Sequence, residues 1–206
     1  MPQEGGAYIL LGIKHSGKST QGNLMAQRLR VPFYDTDIVM TELTQKLPRA
    51  IYAEHGAAAF KQAEYDACVE IASRCSVRQT VIATGGGICD NVSALGVLRP
   101  LGTFIFLRVS ETTAIARIIQ EMRIMPDGSI KNIPAYIASK RPRTASDVRA
   151  IFHEYYVQRT AAYGALADMT VVIENAPPRK NAATLQRALL EQSRGLALAS
   201  AAAAAD

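Results

Sequence analysis

The segment with the clearest chemical meaning is residues 12–19, Gly-Ile-Lys-His-Ser-Gly-Lys-Ser, which fits the pattern GxxxxGK[ST]. An apolar run precedes it and a helix-forming stretch follows, which is the context in which this pattern binds nucleoside phosphates. Glycines let the chain fold tightly around a phosphate, and backbone N–H groups at the start of the helix point towards its oxygens. The pattern therefore predicts an NTPase or a kinase and leaves the second substrate open.

Individual residues of this loop have separate predicted roles. Lys18 is expected to bridge the β- and γ-phosphates, and the Ser19 hydroxyl is expected to ligate Mg²⁺. His15 stands where glycine is common, and we interpret it as a tolerated loop residue rather than as an acid or base. The residues predicted to contact the nucleotide in this segment are Gly12, His15, Ser16, Gly17, Lys18, Ser19 and Thr20.

Two carboxylates, Asp35 and Asp37, stand at the end of a second short apolar run. Residues two apart at a strand end point the same way, and at the carboxyl edge of a parallel sheet they would face the crevice where ligands bind. One would hold Mg²⁺ through water, and the other would accept a hydrogen bond from a substrate hydroxyl and take its proton. The alternative is a capping turn for the helix that starts near Ile38.

Three consecutive glycines, Gly85, Gly86 and Gly87, follow another apolar run. They cost more backbone entropy than a simple turn requires, which favours a ligand lying against the bare backbone. Four basic residues could take a carboxylate, but their spacing alone does not bring them together. They are Lys61, Arg117, Arg141 and Arg159.

Short apolar strands alternate with helical segments along the chain, which predicts an α/β fold with parallel strands and helices on both faces. The predicted strands are residues 7–11, 33–35, 80–84, 103–107 and 169–174. The predicted helices are residues 18–29, the segment from 38 to about 75 with breaks near Pro48 and Gly56, a helix from Glu111, and residues 182–192.

Composition narrows the class of protein. The chain has 206 residues, of which 49% are apolar and 20% charged, as in an ordinary globular enzyme. The net charge of +5 suits an anion site but is too small and scattered to indicate nucleic acid. Three cysteines without CxxC spacing argue against a zinc cluster or a disulfide framework. We expect a cytoplasmic monomer without nucleic-acid or membrane partners, with one domain over residues 1–195 and an alanine-rich, low-complexity tail over residues 196–206.

Taken in order, the motifs resemble those of the shikimate kinase family. They are GxxxxGKST at residues 12–20, DTD at 35–37, ATGGG at 83–87 and R-x-x-x-Y-x-x-x-A-D at 159–168. The resemblance implies a three-layer P-loop kinase fold with a five-stranded parallel sheet in the order 2-3-1-4-5. It also implies transfer of the γ-phosphoryl group of ATP to the 3-hydroxyl of shikimate, with Mg²⁺ as cofactor.

The resemblance further implies a role for each matching residue. Lys18, Asp37 and Arg141 would be catalytic, with Asp37 as proton acceptor and Arg141 reaching the phosphates from a mobile lid. Ser19 and Asp35 would serve the metal, Asp35 through its water shell. Arg117 would lie against adenine. The shikimate pocket would be formed by Asp37, Lys61, Gly85, Gly86, Gly87 and Arg159, with Arg159 holding the carboxylate.

Two departures from the family pattern affect the acceptor. The family arginine of F-R-x-x-E is Lys61 here, which keeps the positive charge but loses the planar fork that binds a carboxylate bidentately. The chain is also longer between Arg117 and Arg141, where the lid and insertion cover about residues 118–148. The turn signal Pro-Asp-Gly-Ser at 126–129 predicts a hairpin or enlarged lid, and a tolerated surface insertion is the alternative.

Two other functions stay open at this point. A kinase of the same fold acting on another small hydroxy acid, such as gluconate, is compatible with Lys61. A nucleotide-binding protein that has lost kinase activity is the second, although Lys18, Ser19, Asp35 and Asp37 are all present.

Overall fold

A computed structural model describes residues 6–75 and 79–203, in which five parallel strands form one sheet with helices on both faces. The strands are β1 (Ala7–Leu11), β2 (Phe33–Asp35), β3 (Val81–Ala83), β4 (Gly102–Val109), β5 (Arg123–Ile124), β6 (Ile130–Lys131) and β7 (Met169–Ile173). The helices are α1 (Lys18–Leu29), α2 (Thr36–Thr44), α3 (Pro48–Arg74), α4 (Val92–Leu98), α5 (Glu111–Glu121), α6 (Ala135–Ala138), α7 (Ala145–Leu166) and α8 (Pro178–Ala203). The predicted three-layer α/β class is confirmed.

The strand order of the sheet is β2-β3-β1-β4-β7. This confirms the predicted order 2-3-1-4-5, because β5 and β6 pair with each other outside the sheet and the fifth sheet strand is therefore seventh in the chain. β1 lies between β3 and β4. The strands β2 and β3 lie on one side of β1, and β4 and β7 lie on the other, so the strand order reverses at β1. In open parallel sheets, ligands bind in the crevice at the carboxyl ends of the strands where the order reverses.

Side chains of the central strand β1 alternate between two cores. Ile9 and Leu11 pack with residues of α2, α3, α4 and α7, whereas Leu10 packs on the opposite face with residues of α1 and α8. All three side chains are fully buried. A strand buried on both faces needs an unbroken apolar run, which is why the short apolar segments of the sequence correspond to sheet strands.

The predicted helix breaks at Pro48 and Gly56 are confirmed. Pro48 begins α3, where its missing N–H group costs no helical hydrogen bond. Gly56 has φ 79° and ψ −176°, far from helical values, so α3 consists of two helical pieces joined at this residue. Glycine adopts a positive φ without the steric penalty of a Cβ atom.

The insertion before α7 forms the predicted hairpin. Arg123 of β5 pairs with Lys131 of β6, and Gly128 takes φ 76° in the turn between them. The Asp127 carboxylate accepts hydrogen bonds from the Ser129 amide at 2.9 Å and the Ser129 hydroxyl at 2.6 Å, which closes the turn. The short helix α6 follows, and its Ile137 is fully buried in the core. The insertion is therefore anchored to the protein body through α6.

Helix α8 continues into the alanine-rich segment as far as Ala203, and residues 204–206 of that predicted tail lie outside the described part of the chain. Over residues 6–75 and 79–203, no helix has both the length and the apolar character needed to cross a membrane.

Candidate active site

The glycine loop joins β1 to α1 at the carboxyl edge of the sheet. Gly12 and Gly17 have φ values of 149° and 90°, so both occupy backbone conformations that side-chain-bearing residues rarely adopt. A Cβ atom at Gly12 would lie 2.9 Å from the Leu107 carbonyl oxygen and 2.8 Å from the Ser16 hydroxyl. The two glycines of the motif are thus required by the fold of the loop, before any ligand is considered.

The Lys18 ammonium group is enclosed by this loop. It donates hydrogen bonds to the carbonyl oxygens of Gly12 at 2.8 Å and Ile13 at 2.9 Å, and it lies 3.4 Å from the Ser16 hydroxyl. Burial lowers the pKa of Lys18 from 10.5 to about 8, against the opposing effects of Asp37 and Asp35. The group is still mainly protonated at neutral pH and supplies a desolvated positive charge at the base of the loop.

Ser19 and Asp35, the two residues predicted to serve the metal, are hydrogen-bonded to each other. The Ser19 hydroxyl donates to Asp35 Oδ2 at 2.5 Å, and the other oxygen of Asp35 accepts from the Asp37 amide at 3.0 Å. Asp35 is therefore also the N-cap of α2, which confirms the capping interpretation, and its predicted role at the metal stays a prediction.

Asp37 opens onto a cleft of about 440 Å³ beside the loop. Burial raises the pKa of Asp37 above its ordinary 3.8 and the charge of Asp35 raises it further, whereas Lys18 and Lys14 act in the opposite direction. The cleft is lined by Lys14, His15, Gly17, Lys18, Ser19, Thr20, Asp35, Asp37, Thr84, Gly86, Arg117, Gln120 and Glu121. A carboxylate with a raised pKa that faces a phosphate loop is suited to accept a proton.

The three consecutive glycines form a shelf on which three parts of the site meet. A Cβ atom at Gly85 would lie 3.2 Å from Asp37 Oδ1, one at Gly86 would lie 2.7 Å from the Lys14 amide nitrogen, and one at Gly87 would lie 3.0 Å from Arg159 Nη2. The glycines are therefore needed for close packing against the protein itself. Because consecutive Cα atoms are about 3.8 Å apart, the shelf brings the phosphate loop, Asp37 and Arg159 within one small region.

Glu64 of α3 is buried behind this shelf, with 1% of its surface exposed. Its Oε2 accepts a hydrogen bond from Asn91 Nδ2 at 3.0 Å, while its Oε1 has no partner among the described residues and would lie 2.8 Å from a Cβ atom at Gly85. Burial raises the pKa of Glu64 from 4.5 to about 7, with a smaller opposing effect of the Asn91 hydrogen bond. A partly protonated carboxyl group thus supports the glycine shelf at neutral pH.

The raised pKa of Glu64 predicts a pH-dependent stability. Between pH 4.5 and about 7 the folded protein binds this proton more tightly than the unfolded chain, so the free energy of unfolding should fall as the pH rises through that range. Glu64→Gln stays uncharged and should remove this fall. The free energy of unfolding of the variant, relative to that of the wild type, should therefore be higher at pH 8 than at pH 4 by on the order of 2–3 kcal/mol. Urea unfolding at a series of pH values measures the difference.

The exposed Glu154 on α7 provides a matched control for this measurement. Its replacement by glutamine should leave the stability–pH curve parallel to that of the wild type. Parallel curves for Glu64→Gln and the wild type would mean that Glu64 does not carry this proton.

Arg159 of α7 lies at the far end of the glycine shelf with 11% of its side chain exposed. Its Nη1 donates to the Gly86 carbonyl oxygen at 3.2 Å, and its Nη2 donates to Asp90 Oδ2 at 2.8 Å. Asp90 is half exposed, and an incoming carboxylate would compete with it for the guanidinium. The site therefore has a cation, Arg159, that could bind an anionic group of a ligand. This cation is separated from the phosphate loop by about the length of the glycine shelf.

The nucleotide side includes two further predicted residues. Arg117 of α5 lines the cleft and donates from Nη1 to the His15 carbonyl oxygen at 2.6 Å. His15 has φ 64°, and its Nδ1 lies 3.6 Å from Glu121 Oε1. Burial lowers the pKa of His15, and the charge of Glu121 acts in the opposite direction. These contacts fit the interpretation of His15 as a loop residue without acid–base function.

Two predicted substrate- and phosphate-contacting residues, Lys61 and Arg141, are exposed and do not line the cleft. The Lys61 side chain is exposed on α3, and its backbone carbonyl oxygen accepts a hydrogen bond from Asn91 Nδ2 at 2.9 Å. Arg141 is exposed in the segment after α6 with φ 51°. Neither lines the cleft, so their predicted roles depend on movement of these side chains or of the lid and stay predictions.

Sequence reasoning did not assign several residues that form the site walls. Thr36 accepts a hydrogen bond from the Gly85 amide at 2.9 Å, and Thr84 donates from its hydroxyl to the Leu10 carbonyl at 2.9 Å. Both are adjacent to predicted motifs, which is the signal that could have found them. Glu64 had a different signal, a carboxylate on the buried face of α3 beside Ala63 and Ala67.

The donor set fits a magnesium ion that keeps most of its water. A hydroxyl and a carboxylate, Ser19 and Asp35, provide the oxygen ligands that Mg²⁺ prefers next to nucleotide phosphates. In residues 6–75 and 79–203 there is no group of three or more His, Cys, Asp or Glu side chains that could hold a metal by themselves. A metal here would therefore need the phosphates as ligands.

Comparison with known proteins agrees with this geometry. The family model described as shikimate kinase matches residues 14–190. A shikimate kinase from Syntrophus aciditrophicus is 30% identical over 164 residues, which cover 79% of this chain and 80% of that protein. A shikimate kinase from Microcystis aeruginosa is 37% identical over 115 residues, and this chain spans 58% of the length of that relative.

A solved structure shares the fold. The shikimate kinase from Acinetobacter baumannii in complex with shikimate superposes with a TM-score of 0.73 at 21% identity, covering 91% of this chain and 94% of that chain. At this identity the likeness concerns the fold alone.

Proposed function

This chain belongs to the shikimate kinase family, and from that premise we propose that it transfers the γ-phosphoryl group of ATP to the 3-hydroxyl of shikimate. The observation that carries the proposal is the glycine shelf, whose three residues contact Asp37, the phosphate loop and Arg159 in turn. An acid-bearing alcohol held by Arg159 would have its hydroxyl group near Asp37 and the terminal phosphate. The shikimate kinase from S. aciditrophicus, 30% identical over 79% of this chain, supports the choice of acceptor.

The mechanism requires positioning and charge more than covalent chemistry. Lys18 supplies positive charge to the γ-phosphoryl oxygens, and the loop N–H groups hold the β-phosphate. Asp37 orients the acceptor hydroxyl and accepts its proton as the phosphorus–oxygen bond forms and ADP leaves. Arg141, carried by the segment after α6, would close over the phosphates and exclude water, which would otherwise hydrolyse ATP.

Mg²⁺ is the metal that we propose, held by Ser19 directly and by Asp35 through water, and it would neutralise charge on the phosphates. Arg117, which donates a hydrogen bond to the His15 carbonyl oxygen of the loop, would lie against adenine. We further propose a monomeric enzyme in the cytoplasm, with ATP and a hydroxylated carboxylic acid as its small-molecule substrates.

An acceptor panel tests the proposed function. Purified protein with Mg²⁺ and ATP should release ADP fastest with shikimate, as compared with quinate, gluconate and nucleoside monophosphates. The kcat/KM for shikimate should exceed that for gluconate by at least about 100-fold, because a site built to pair buried polar groups rejects a ligand that leaves them unpaired. A coupled ADP assay gives these values.

A different ranking would identify a different function. Highest kcat/KM with gluconate would favour a kinase for another small hydroxy acid, an alternative that Lys61 in place of the family arginine leaves open. ATP binding without ADP release for any acceptor would favour a nucleotide-binding protein without kinase activity.

A further inference from the structure

The guanidinium of Arg159 lies over a pair of tyrosine rings. Its Cζ is 4.6 Å from the centroid of Tyr136 and 5.2 Å from the centroid of Tyr155, and the two centroids are 4.3 Å apart. If the rings flanked the guanidinium on opposite faces, their centroids would be about twice as far apart, given the usual stacking distances. Both rings therefore lie on the same side of Arg159 and form one aromatic wall.

The two rings come from different parts of the chain. Tyr155 precedes Arg159 by four residues on α7, so their contact follows from helix geometry alone. Tyr136 belongs to α6, within the insertion between α5 and α7, and it reaches Arg159 only because α6 is packed against α7. The adjacent Ile137 is fully buried and fixes α6 in this position.

The other polar contacts of Arg159 are two hydrogen bonds. Among the described residues, Nη1 donates to the Gly86 carbonyl oxygen and Nη2 to Asp90, and the buried Nε has no acceptor. Asp90 is half exposed on a short 3₁₀ turn and is a weak restraint. A ring face beneath the guanidinium attracts the cation and resists rotation of its plane. The aromatic wall thus acts together with the two hydrogen bonds to restrain the orientation of this side chain.

The environment of Tyr136 fits a role in orienting Arg159. It does not fit the alternative that the insertion is merely a tolerated surface segment. Its ring is half-buried against the core, and burial raises the pKa of its hydroxyl to about 12, so that it stays neutral over the working range of an enzyme. The hairpin that precedes it behaves differently, since Ile124 is 60% exposed. The insertion therefore has an exposed tip and a buried base at the acceptor end of the site.

We propose that Tyr136 is a positioning residue for acceptor binding, which holds the Arg159 guanidinium in the plane that receives the acceptor carboxylate and so connects the inserted lid to the acceptor site. The inference rests on the proposed function, because it assigns Arg159 to the carboxylate of the acceptor. It gives the insertion a function in acceptor recognition that a simple lid over ATP would not have. It also offers a reason why the lysine at position 61 is tolerated, since the carboxylate would depend more on an oriented Arg159.

Steady-state kinetics of Tyr136→Leu test this inference. The KM for shikimate should rise about tenfold, as expected for loss of an aromatic contact with a partly desolvated cation, with the KM for ATP unchanged and kcat within about twofold. Tyr136→Phe keeps the ring and should restore the wild-type KM. Tyr8→Leu is the matched control, because Tyr8 packs on the opposite face of the sheet and should affect neither KM.

A double-mutant cycle shows whether Tyr136 acts through Arg159. Arg159→Lys alone should raise the KM for shikimate, and adding Tyr136→Leu should raise it by less than threefold more, because the ring then has no planar cation to hold. Thermal unfolding of each variant identifies a loss of fold. If Tyr136→Leu does not fold, a KM for Tyr136→Phe above three times the wild-type value contradicts the inference and a wild-type value supports it.

The inference and the proposed function fail in different ways. Wild-type protein that releases no ADP with shikimate contradicts the proposed function. Wild-type activity together with an unchanged shikimate KM in Tyr136→Leu, or equal increases in both KM values, contradicts the inference alone. Additive effects in the cycle would also overturn it.

Discussion

Lys18→Ala should lower kcat/KM for ATP by at least about 1,000-fold, the effect expected when a desolvated group that stabilises charge in the transition state is removed. Lys18 is buried, and its hydrogen bonds to the Gly12 and Ile13 carbonyls hold its charge inside the loop. The variant loses this charge and also leaves both carbonyls without their donor. Coupled-assay kinetics and calorimetric titration with Mg·ATP measure turnover and binding separately.

Lys46→Ala is the control for this variant, because Lys46 is an exposed lysine that pairs with Glu54 away from the cleft. It should have wild-type activity. Activity of Lys18→Ala within tenfold of wild type would contradict the role of the loop in phosphoryl transfer.

The lowered pKa of Lys18 adds a dependence of ATP binding on pH. In the free protein the ammonium loses its proton as the pH rises through about 8, whereas bound phosphates favour the protonated form. The dissociation constant for Mg·ATP should therefore increase above pH 8, by at most about tenfold per pH unit. Titrations between pH 7 and 9.5 should show this increase in the wild type and not in Lys18→Arg.

Asp37→Asn should lower kcat by about 100- to 10,000-fold, the range usual for loss of a general base. Asparagine has nearly the same shape but cannot accept the proton of the acceptor hydroxyl. The hydrogen bond of the residue 37 amide with Asp35 is a backbone contact and survives the change, so the fold and the affinity for ATP should be retained. Single-turnover phosphoryl transfer and ATP titration measure the two quantities.

The pH profile provides a second readout of Asp37. Because its pKa is raised above 3.8, wild-type kcat/KM for the acceptor should fall on the acid side at a pH above that value, as Asp37 becomes protonated. Asp66→Asn, at an exposed position on α3, should leave activity and profile unchanged. Full turnover by Asp37→Asn would mean that the acceptor hydroxyl is not activated by this carboxylate.

The spatial arrangement explains why these two variants should affect different steps. Lys18 and Asp37 line one cleft, but Lys18 is surrounded by loop carbonyls whereas Asp37 faces the opening above the glycine shelf. The first residue therefore acts on the nucleotide and the second on the acceptor. Their separate effects on ATP affinity distinguish the two roles.

Much of the fold could be predicted from local patterns. The apolar run before Gly12 is β1, the stretch from Lys18 to Leu29 is α1, and the breaks at Pro48 and Gly56 are where expected. These features depend on neighbouring residues only, through side-chain burial and allowed backbone angles. Ser19 and Asp35 were assigned to the metal separately, and their direct hydrogen bond is seen only in the structure.

The hairpin strands show where local patterns reach their limit. The turn at residues 126–129 predicted a reversal of the chain, and β5 and β6 form it with two residues each. The sequence did not indicate that α6 follows and inserts Ile137 into the core. That contact depends on a space between α3 and α7, which exists only after these helices have packed.

The sequence by itself determined the phosphate loop, the order of the elements and the identity of the groups that could do the chemistry, because each depends on residues adjacent in the chain. Only the tertiary structure decided which of those groups meet: Arg159 reaches Gly86, Asp90 and Tyr136, whereas Lys61 and Arg141 stay exposed outside the cleft. It likewise raised the pKa of Glu64 by burying it behind the glycines. Contacts between residues tens of positions apart, and the loss of water around them, result from how the helices pack on the sheet. This packing cannot be derived from the spacing of neighbouring residues in the sequence.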